Sequence, residues 1–536
     1  MHKVALIGLD GIPFDMLSSL VRKGVLPNFK RIFEGGVVGI LHSTIPPLSP
    51  VAWSSIMTGL NPGKHGIFEF LDREMRPYSS MNIRGRAIWD IASTSGKHVI
   101  CLNVPIITNP PYPLNGVMIP GFPGPSDNLS SYPPEIANEL IRDVGYKVDV
   151  NVWGRDFLSL SEGDFLKEAR EITLARAEAI LYLIDELKWD LLCTVFTTPD
   201  RVQHVFFGRA IKNSPFYEPR ARDILIGYYK LLDKVVGKLL NELLNEAILI
   251  FLSDHGFEPL YKYVGLSNIV RAFLMGARST KLLPRKSTLF ARLLMRKRIF
   301  RIFHIVKKGL MDRVSSFNIP IFSRLMDEIG RKAGVIREVR RRMGDYECGA
   351  CGNGFIYVKN SSSAKKMDEL VRYLHAISDG ETGLNVIEHV YRGDEIYRGP
   401  FLKDAPELIL LPETGYELKV STPRDLEKIR PVKGMTCRTG THVSSKALNG
   451  FFAMIGDGIR EGVRFNACVY DIAPTVLHIL GLFIPTNVDG YVMARAFEEG
   501  SSLARRPVRK ERVSLREKLA MKARGLRAFM KLHKGV

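Results

Sequence analysis

Short apolar runs that stop at an acidic or imidazole-bearing residue recur along this chain, and that recurrence limits the folds open to it. KVALIGL ends at Asp10, TVFTTPDRVQH carries Asp200 and His204, and ILIFLS ends at Asp254 and His255. Stretches with helical periodicity separate the runs. Ala87–Ser95 reads as a helix before a strand at His98–Val104, Phe165–Leu187 as a helix before Asp190–Thr197, and Ile224–Asn245 as a helix before Ala247–Ser253. Strand and helix in alternation predict a mostly parallel sheet covered by helices on both faces. The expected fold class is α/β, a three-layer α/β/α sandwich. Binding sites in such sheets gather at the carboxyl ends of strands, so residues far apart in sequence can converge there.

The residues at those ends suit metal binding. Asp10 is followed by Gly11, and D-G equally marks a turn. Asp200 and His204 are four apart; on a helix they share one face at a spacing that chelates one ion. Asp254-His255-Gly256 follows a buried-strand pattern, and His442 lies between Thr441 and Val443 in a GTH stretch. Ser49 precedes Val51–Thr58, which reads as a helix, so its hydroxyl stands at a helix N-terminus. There the backbone N–H groups favour an anion such as phosphate, although a plain N-cap serine reads the same way. Thr44, Ser54 and Ser55 are the other hydroxyls nearby. Three Asp, three His and one hydroxyl suffice for a two-metal centre.

Taken in order, the pieces LIGLDG, PPLSPVAWSSIMTGLNPGKHGI, TTPDRVQH, SDHGF, GTH and DIAPTVLHILGLFIPTNVDG resemble the alkaline phosphatase superfamily, in its type I phosphodiesterase/nucleotide pyrophosphatase branch. They span residues 3–260 and about 352–495. The resemblance implies an alkaline phosphatase-like fold and a phosphodiesterase or phosphohydrolase. It implies that Asp200, His204 and His442 hold one metal, that Asp10, Asp254 and His255 hold the other, and that Ser49 bridges them as the nucleophile of a covalent phospho-seryl intermediate. Nitrogen and oxygen ligands favour two zinc ions, with manganese the alternative. The chain departs from the pattern after H-G-I, where many nucleotide pyrophosphatases carry a phosphate-binding Asn and this sequence reads Phe68-Glu69-Phe70. Lys64, Arg84, Arg86 and Asn103 are candidate replacements. Ser49-Pro50-Val51-Ala52-Trp53 lacks the x-P-x-R context of a sulfatase. Two other readings use the same scaffold: a phospho-headgroup transferase or lipid-linked phosphodiester hydrolase at a membrane surface, and a catalytically inactive membrane- or nucleic-acid-binding protein.

Charge divides the chain. The stretch 261–345 carries 21 basic and 5 acidic residues, and the tail from Ser501 carries 12 basic and 2 acidic, against a net charge of +20 for the whole. The expected organisation is a catalytic core in two halves, 1–260 and 346–500, an inserted basic helical cap at 261–345, and a basic amphipathic tail at 501–536. In the insert, apolar residues such as Phe300 and Ile302 interleave with Arg296, Lys297, Arg298 and Arg301, a pattern suited to an anionic membrane surface. Nucleic acid is the less favoured partner. The N-terminus lacks the pattern of a signal peptide, and no window of about 20 uninterrupted apolar residues occurs. The expected location is cytoplasmic, with peripheral contact at the inner membrane face. Six cysteines make no disulfide framework, and Cys348 and Cys351 form a lone C-x-x-C. Gln203 is the only glutamine, a scarcity that with abundant Lys, Arg and Glu predicts a thermophilic source.

Overall fold

The structure is a computed structural model that describes residues 2–72, 76–122, 129–150, 161–277, 279–282, 346–348, 354–358, 364–420, 425–431, 434 and 436–512. The basic stretch 283–345, the tail from 513 and Cys351 of the C-x-x-C lie outside the described residues. No described helix is long and apolar enough to cross a membrane.

Seven strands carry the argument: β1 (Lys3–Leu9), β2 (Val37–His42), β3 (Val99–Val104), β4 (Gly116–Pro120), β5 (Leu191–Phe196), β6 (Ala247–Leu252) and β7 (Glu258–Gly265). The central sheet runs in the order β2, Asn449–Ile455, β6, β1, β5, β3, β4, with two short strands along the outer edge of β2. The strands from β6 to β4 are mutually parallel, and Asn449–Ile455 runs antiparallel between β6 and β2. The sheet is therefore mixed and mostly parallel.

Side chains alternate across each strand, and here both faces are buried, which is why the strands read as unbroken apolar runs. Along β1, Ala5, Ile7 and Leu9 enter one core with the helices Phe14–Arg22, Glu162–Glu186, Thr198–Ala210 and Pro219–Leu243. Val4 and Leu6 enter the opposite core with the helices Ser49–Thr58, Ile88–Thr94 and Ile472–Ile479. The long helix Pro219–Leu243 is held in register by Asp233, whose carboxylate accepts from the backbone of Asn28 at 3.0 Å and of Phe29 at 2.9 Å.

A smaller region is built on the strands Phe355–Val358, Ile387–Arg392 and Leu408–Pro412, with the helices Leu266–Leu274 and Ala364–His375. The change of texture expected at Tyr261 falls inside β7. That strand pairs with Gly415–Lys419, and Val264 and Leu266 join a buried cluster with Leu418 and Leu426.

Register explains how the site assembles. Lys3 stands opposite Ala247 and Gly8 opposite Leu252. Continuing that register two residues beyond this pair sets Asp254 opposite Asp10. On the other side Leu9 stands opposite Phe196, so β5 ends level with β1 and delivers Asp200 one helical turn later. Neighbouring strands lie about 4.8 Å apart, so three carboxylates meet above three adjacent strand ends.

Candidate metal centre

Ligand atoms of Asp10, Asp254 and His255 lie within 4.8 Å of one another, and so do those of Asp200, His255 and His442. His255 Nε2 is 3.6 Å from Asp10 Oδ1 and 3.3 Å from Asp254 Oδ2. Asp200 Oδ1 is 3.4 Å from His204 Nε2 and 3.6 Å from His442 Nε2. Ser49 Oγ sits 3.1 Å from His255 Nε2. All seven residues expected at the centre are thus brought together. His255 stands closer to the second trio than the resemblance implies, because its ring stacks on His442 with centroids 3.8 Å apart.

The carboxylates share one pattern. Each has one oxygen held by a donor and the other bare. Trp53 Nε1 donates to Asp10 Oδ2 at 3.2 Å, Gly11 N to Asp254 Oδ1 at 3.3 Å, and an Arg201 N–H to Asp200 Oδ2 at 2.6 Å. The remaining oxygens, Asp10 Oδ1, Asp254 Oδ2 and Asp200 Oδ1, are buried without a hydrogen-bond donor. A buried acceptor left this way costs roughly 1–3 kcal/mol. Asp10 and Asp254 group with His255, and Asp200 groups with His255 and His442, so the bare oxygens fit cations.

The histidines are oriented to match. The Nδ1 atoms of His204, His255 and His442 lie 2.9, 2.9 and 3.0 Å from the carbonyls of Gly440, Gly256 and Pro47. A carbonyl only accepts, so Nδ1 carries the proton and Nε2 turns a lone pair inward, as metal-ligating histidines do. Arg438 Nε also approaches His204 Nδ1, at 3.2 Å, but the carbonyl is nearer.

Electrostatics agree with this picture. Burial, then the neighbouring Asp254 and Asp200, raises Asp10 well above the carboxylate range. Burial and then Asp200 push Asp254 up to about 8. Burial also presses Asp200 upward, but His204, when protonated at low pH, and the Arg201 guanidinium outweigh it and its pKa is lowered. Burial takes His204 and His442 well below the ordinary imidazole value, so both are neutral ligands at pH 7.

Ser49 opens its helix two residues before the expected start, after Leu48 as N-cap, so it is not itself the N-cap. The other hydroxyls nearby are engaged elsewhere: Thr44 donates to Pro46 O at 2.9 Å, Ser54 to Pro50 O at 2.6 Å, and Ser55 contacts His65 Nε2 at 3.0 Å. The four candidate substrate contacts hold other partners. Lys64 pairs with Asp489 at 2.5 Å, and Arg84 lies over the Phe401 ring at 5.8 Å. Arg86 donates to Asp90 O at 3.0 Å and to Thr94, and Asn103 Nδ2 donates to Val195 O at 3.0 Å.

Several supporting residues escaped the sequence reading. Trp53 reaches Asp10 because Gly8 leaves room: a Cβ on Gly8 would lie 2.3 Å from the indole. Its signal was a Trp one helical turn after Ser49. Glu258 fixes the loop after His442, accepting from Ser444 N at 2.7 Å and Val443 N at 3.2 Å. Glu417 accepts from Arg438 at 3.0 Å and from Thr441 at 2.8 Å. Nothing in the local sequence marks these partners.

Glu417 yields a pH prediction. Burial alone would raise it, but Arg438 and Lys419 bring it down to about 2 from 4.5. A depressed carboxyl contributes stability that is full above pH 4.5 and lost as pH falls toward 2. The shift corresponds to on the order of 3 kcal/mol. Thermal melts of wild type and Glu417→Gln are expected to differ most above pH 5 and to converge toward pH 2.

Comparison with known proteins completes the picture. The family profile described as type I phosphodiesterase/nucleotide pyrophosphatase matches residues 4–434. No curated protein matches by sequence. Among solved structures, the alkaline phosphatase PafA is similar with TM-score 0.54 and 14% identity, covering 93% of this chain and 99% of that one. Phosphonoacetate hydrolase from Sinorhizobium meliloti 1021, in complex with phosphonoformate, gives TM-score 0.52 and 14% identity, over 90% of this chain and 95% of that one. An inactive variant of murine ectonucleotide pyrophosphatase/phosphodiesterase 5, in complex with AMP, gives TM-score 0.50 and 14% identity, over 90% and 96%. These likenesses show an alkaline phosphatase-like fold.

Proposed function

Because the chain belongs to the type I phosphodiesterase/nucleotide pyrophosphatase family, whose members are phosphoric-ester hydrolases, we propose that it cleaves a phosphodiester through a covalent phospho-Ser49 intermediate at a two-metal centre. The observation that carries this reading is the trio of bare, buried carboxylate oxygens grouped with three inward-facing Nε2 atoms beside the Ser49 hydroxyl. Asp10, Asp254 and His255 would hold one ion, and Asp200, His204 and His442 the other. The donor set is all nitrogen and oxygen, which favours zinc, with manganese the alternative. Divalent ions there, when bound, neutralise phosphoryl charge and lower the pKa of the serine hydroxyl.

The chain's own residues supply nucleophile and geometry. Ser49 Oγ attacks phosphorus in line with the leaving oxygen. The Oγ–P bond forms, the ester P–O bond breaks, and the alcohol departs with a proton. Water then attacks the phospho-serine from the vacated side, releasing the phosphate product and restoring Ser49. Trp53, Gly11 and Arg201 hold the outer carboxylate oxygens, so the inner ones need no reorganisation as charge develops.

The test compares bis(p-nitrophenyl) phosphate with p-nitrophenyl phosphate, after chelation and after return of zinc or manganese. Metal-restored cleavage that favours the diester is the expected result. A preference for the monoester would make the protein a phosphomonoesterase, and a chain that binds no metal would remove the reading.

A further inference from the structure

Asp200 differs from the other two carboxylates in what holds its outer oxygen. Asp10 and Asp254 are held by an indole and a backbone N–H, whereas Asp200 is held by a cation that a fourth carboxylate anchors. Arg201 donates to Asp200 Oδ2 at 2.6 Å, and its Nε and second terminal nitrogen donate to Asp149 Oδ2 at 3.0 and 2.9 Å. The guanidinium also lies over the Phe122 ring at 4.8 Å. Asp149 is itself fixed: its other oxygen accepts from Val150 N at 2.8 Å. The segment that carries it is tied to the end of β5 by Arg176, which is buried and donates to Val148 O and Val195 O, both at 2.7 Å.

We propose that Arg201, anchored by Asp149, is a positioning residue that locks the Asp200 carboxylate in one rotamer and so sets the affinity of one of the two metal positions. The proposal rests on the two-metal reading. A guanidinium is a planar fork that can bridge two carboxylates, whereas an ammonium is a point charge. The arrangement makes Asp200 a one-oxygen ligand, because Oδ2 is occupied and only Oδ1 faces His204 and His442. Asp149 would thereby act on a metal 51 positions away in sequence without touching it.

The experiment titrates zinc from the full-length protein with a competing chelator, for wild type, Arg201→Lys and Asp149→Asn. Lysine keeps the charge beside Asp200 but loses the fork. The expected result is that Arg201→Lys loosens one of the two zinc ions by about 10- to 100-fold and leaves the other as in wild type. Asp149→Asn should loosen the same ion by a smaller factor, even if Arg201→Lys folds poorly. Wild-type affinity for both ions in folded Arg201→Lys or Asp149→Asn would overturn the proposal, and so would equal weakening of both ions. Failure of the wild type to bind two ions would instead overturn the two-metal reading.

Discussion

Ser49→Ala is expected to lower phosphodiester turnover at least about a thousandfold while leaving metal content and melting temperature nearly unchanged. The asymmetry follows from the contacts. The hydroxyl's side-chain partners belong to the centre itself, His255 Nε2 at 3.1 Å and the Asp254 carboxylate, and the helix it opens is closed at its other end by Gly59 in a left-handed conformation. Alanine is a better helix former than serine, so the helix has no reason to weaken. What disappears is the proposed nucleophile, and among the described hydroxyls near it Thr44, Ser54 and Ser55 are committed to other partners. Acid quench during turnover followed by peptide mass analysis is expected to find a phosphoryl group on the Ser49 peptide of wild type and none in the variant. Residual activity within about tenfold of wild type would mean that water attacks directly.

Stripping the metal is expected to have the second large effect: complete loss of ester cleavage together with a fall in thermal stability. Both consequences have one source. Asp10, Asp200 and Asp254 bury three acceptors that have no donor, and Asp10 and Asp254 are held above their ordinary pKa by burial and then by neighbouring carboxylates. An ion that binds only the folded chain adds about 4 kcal/mol per site when its free concentration is a thousandfold over Kd. Calorimetry with and without chelator measures this directly. Equal melting temperatures for the two forms would mean that the carboxylate trio tolerates its own crowding and that bound metal is incidental to the fold.

The strand ends were legible because both faces of the sheet are covered. Burial on two sides writes an unbroken apolar run, and the first polar residue after it marks the rim. Asp10, Asp254 and Asp200 all stand at or just past such stops. His442 was legible only through family resemblance, since Gly440–Thr441 is a two-residue strand with no pattern of its own. The second layer was not legible at all. Asp149 and Arg201, or Glu258 and Ser444, meet across folds of the chain, and their identities leave no periodic trace. Of the four residues suggested for phosphate binding, Lys64, Arg86 and Asn103 donate to partners within the fold and Arg84 lies over a ring, placements that composition cannot show.

The strand Asn449–Ile455 carries a consequence for how the protein is made. It is the seam between β2, which leads into the Ser49 helix, and β6, which leads into Asp254 and His255. Within the sheet, every described strand that pairs with β2 comes from residues 449–468. Residues 449–468 must therefore be in place before the β2 side of the sheet and the β6 side share a frame, and so long a wait for non-local pairing slows assembly. Until Asn449–Ile455 pairs, the mostly parallel half-sheet has an open edge at β6, an unpaired row of backbone N–H and C=O groups on which another chain could template.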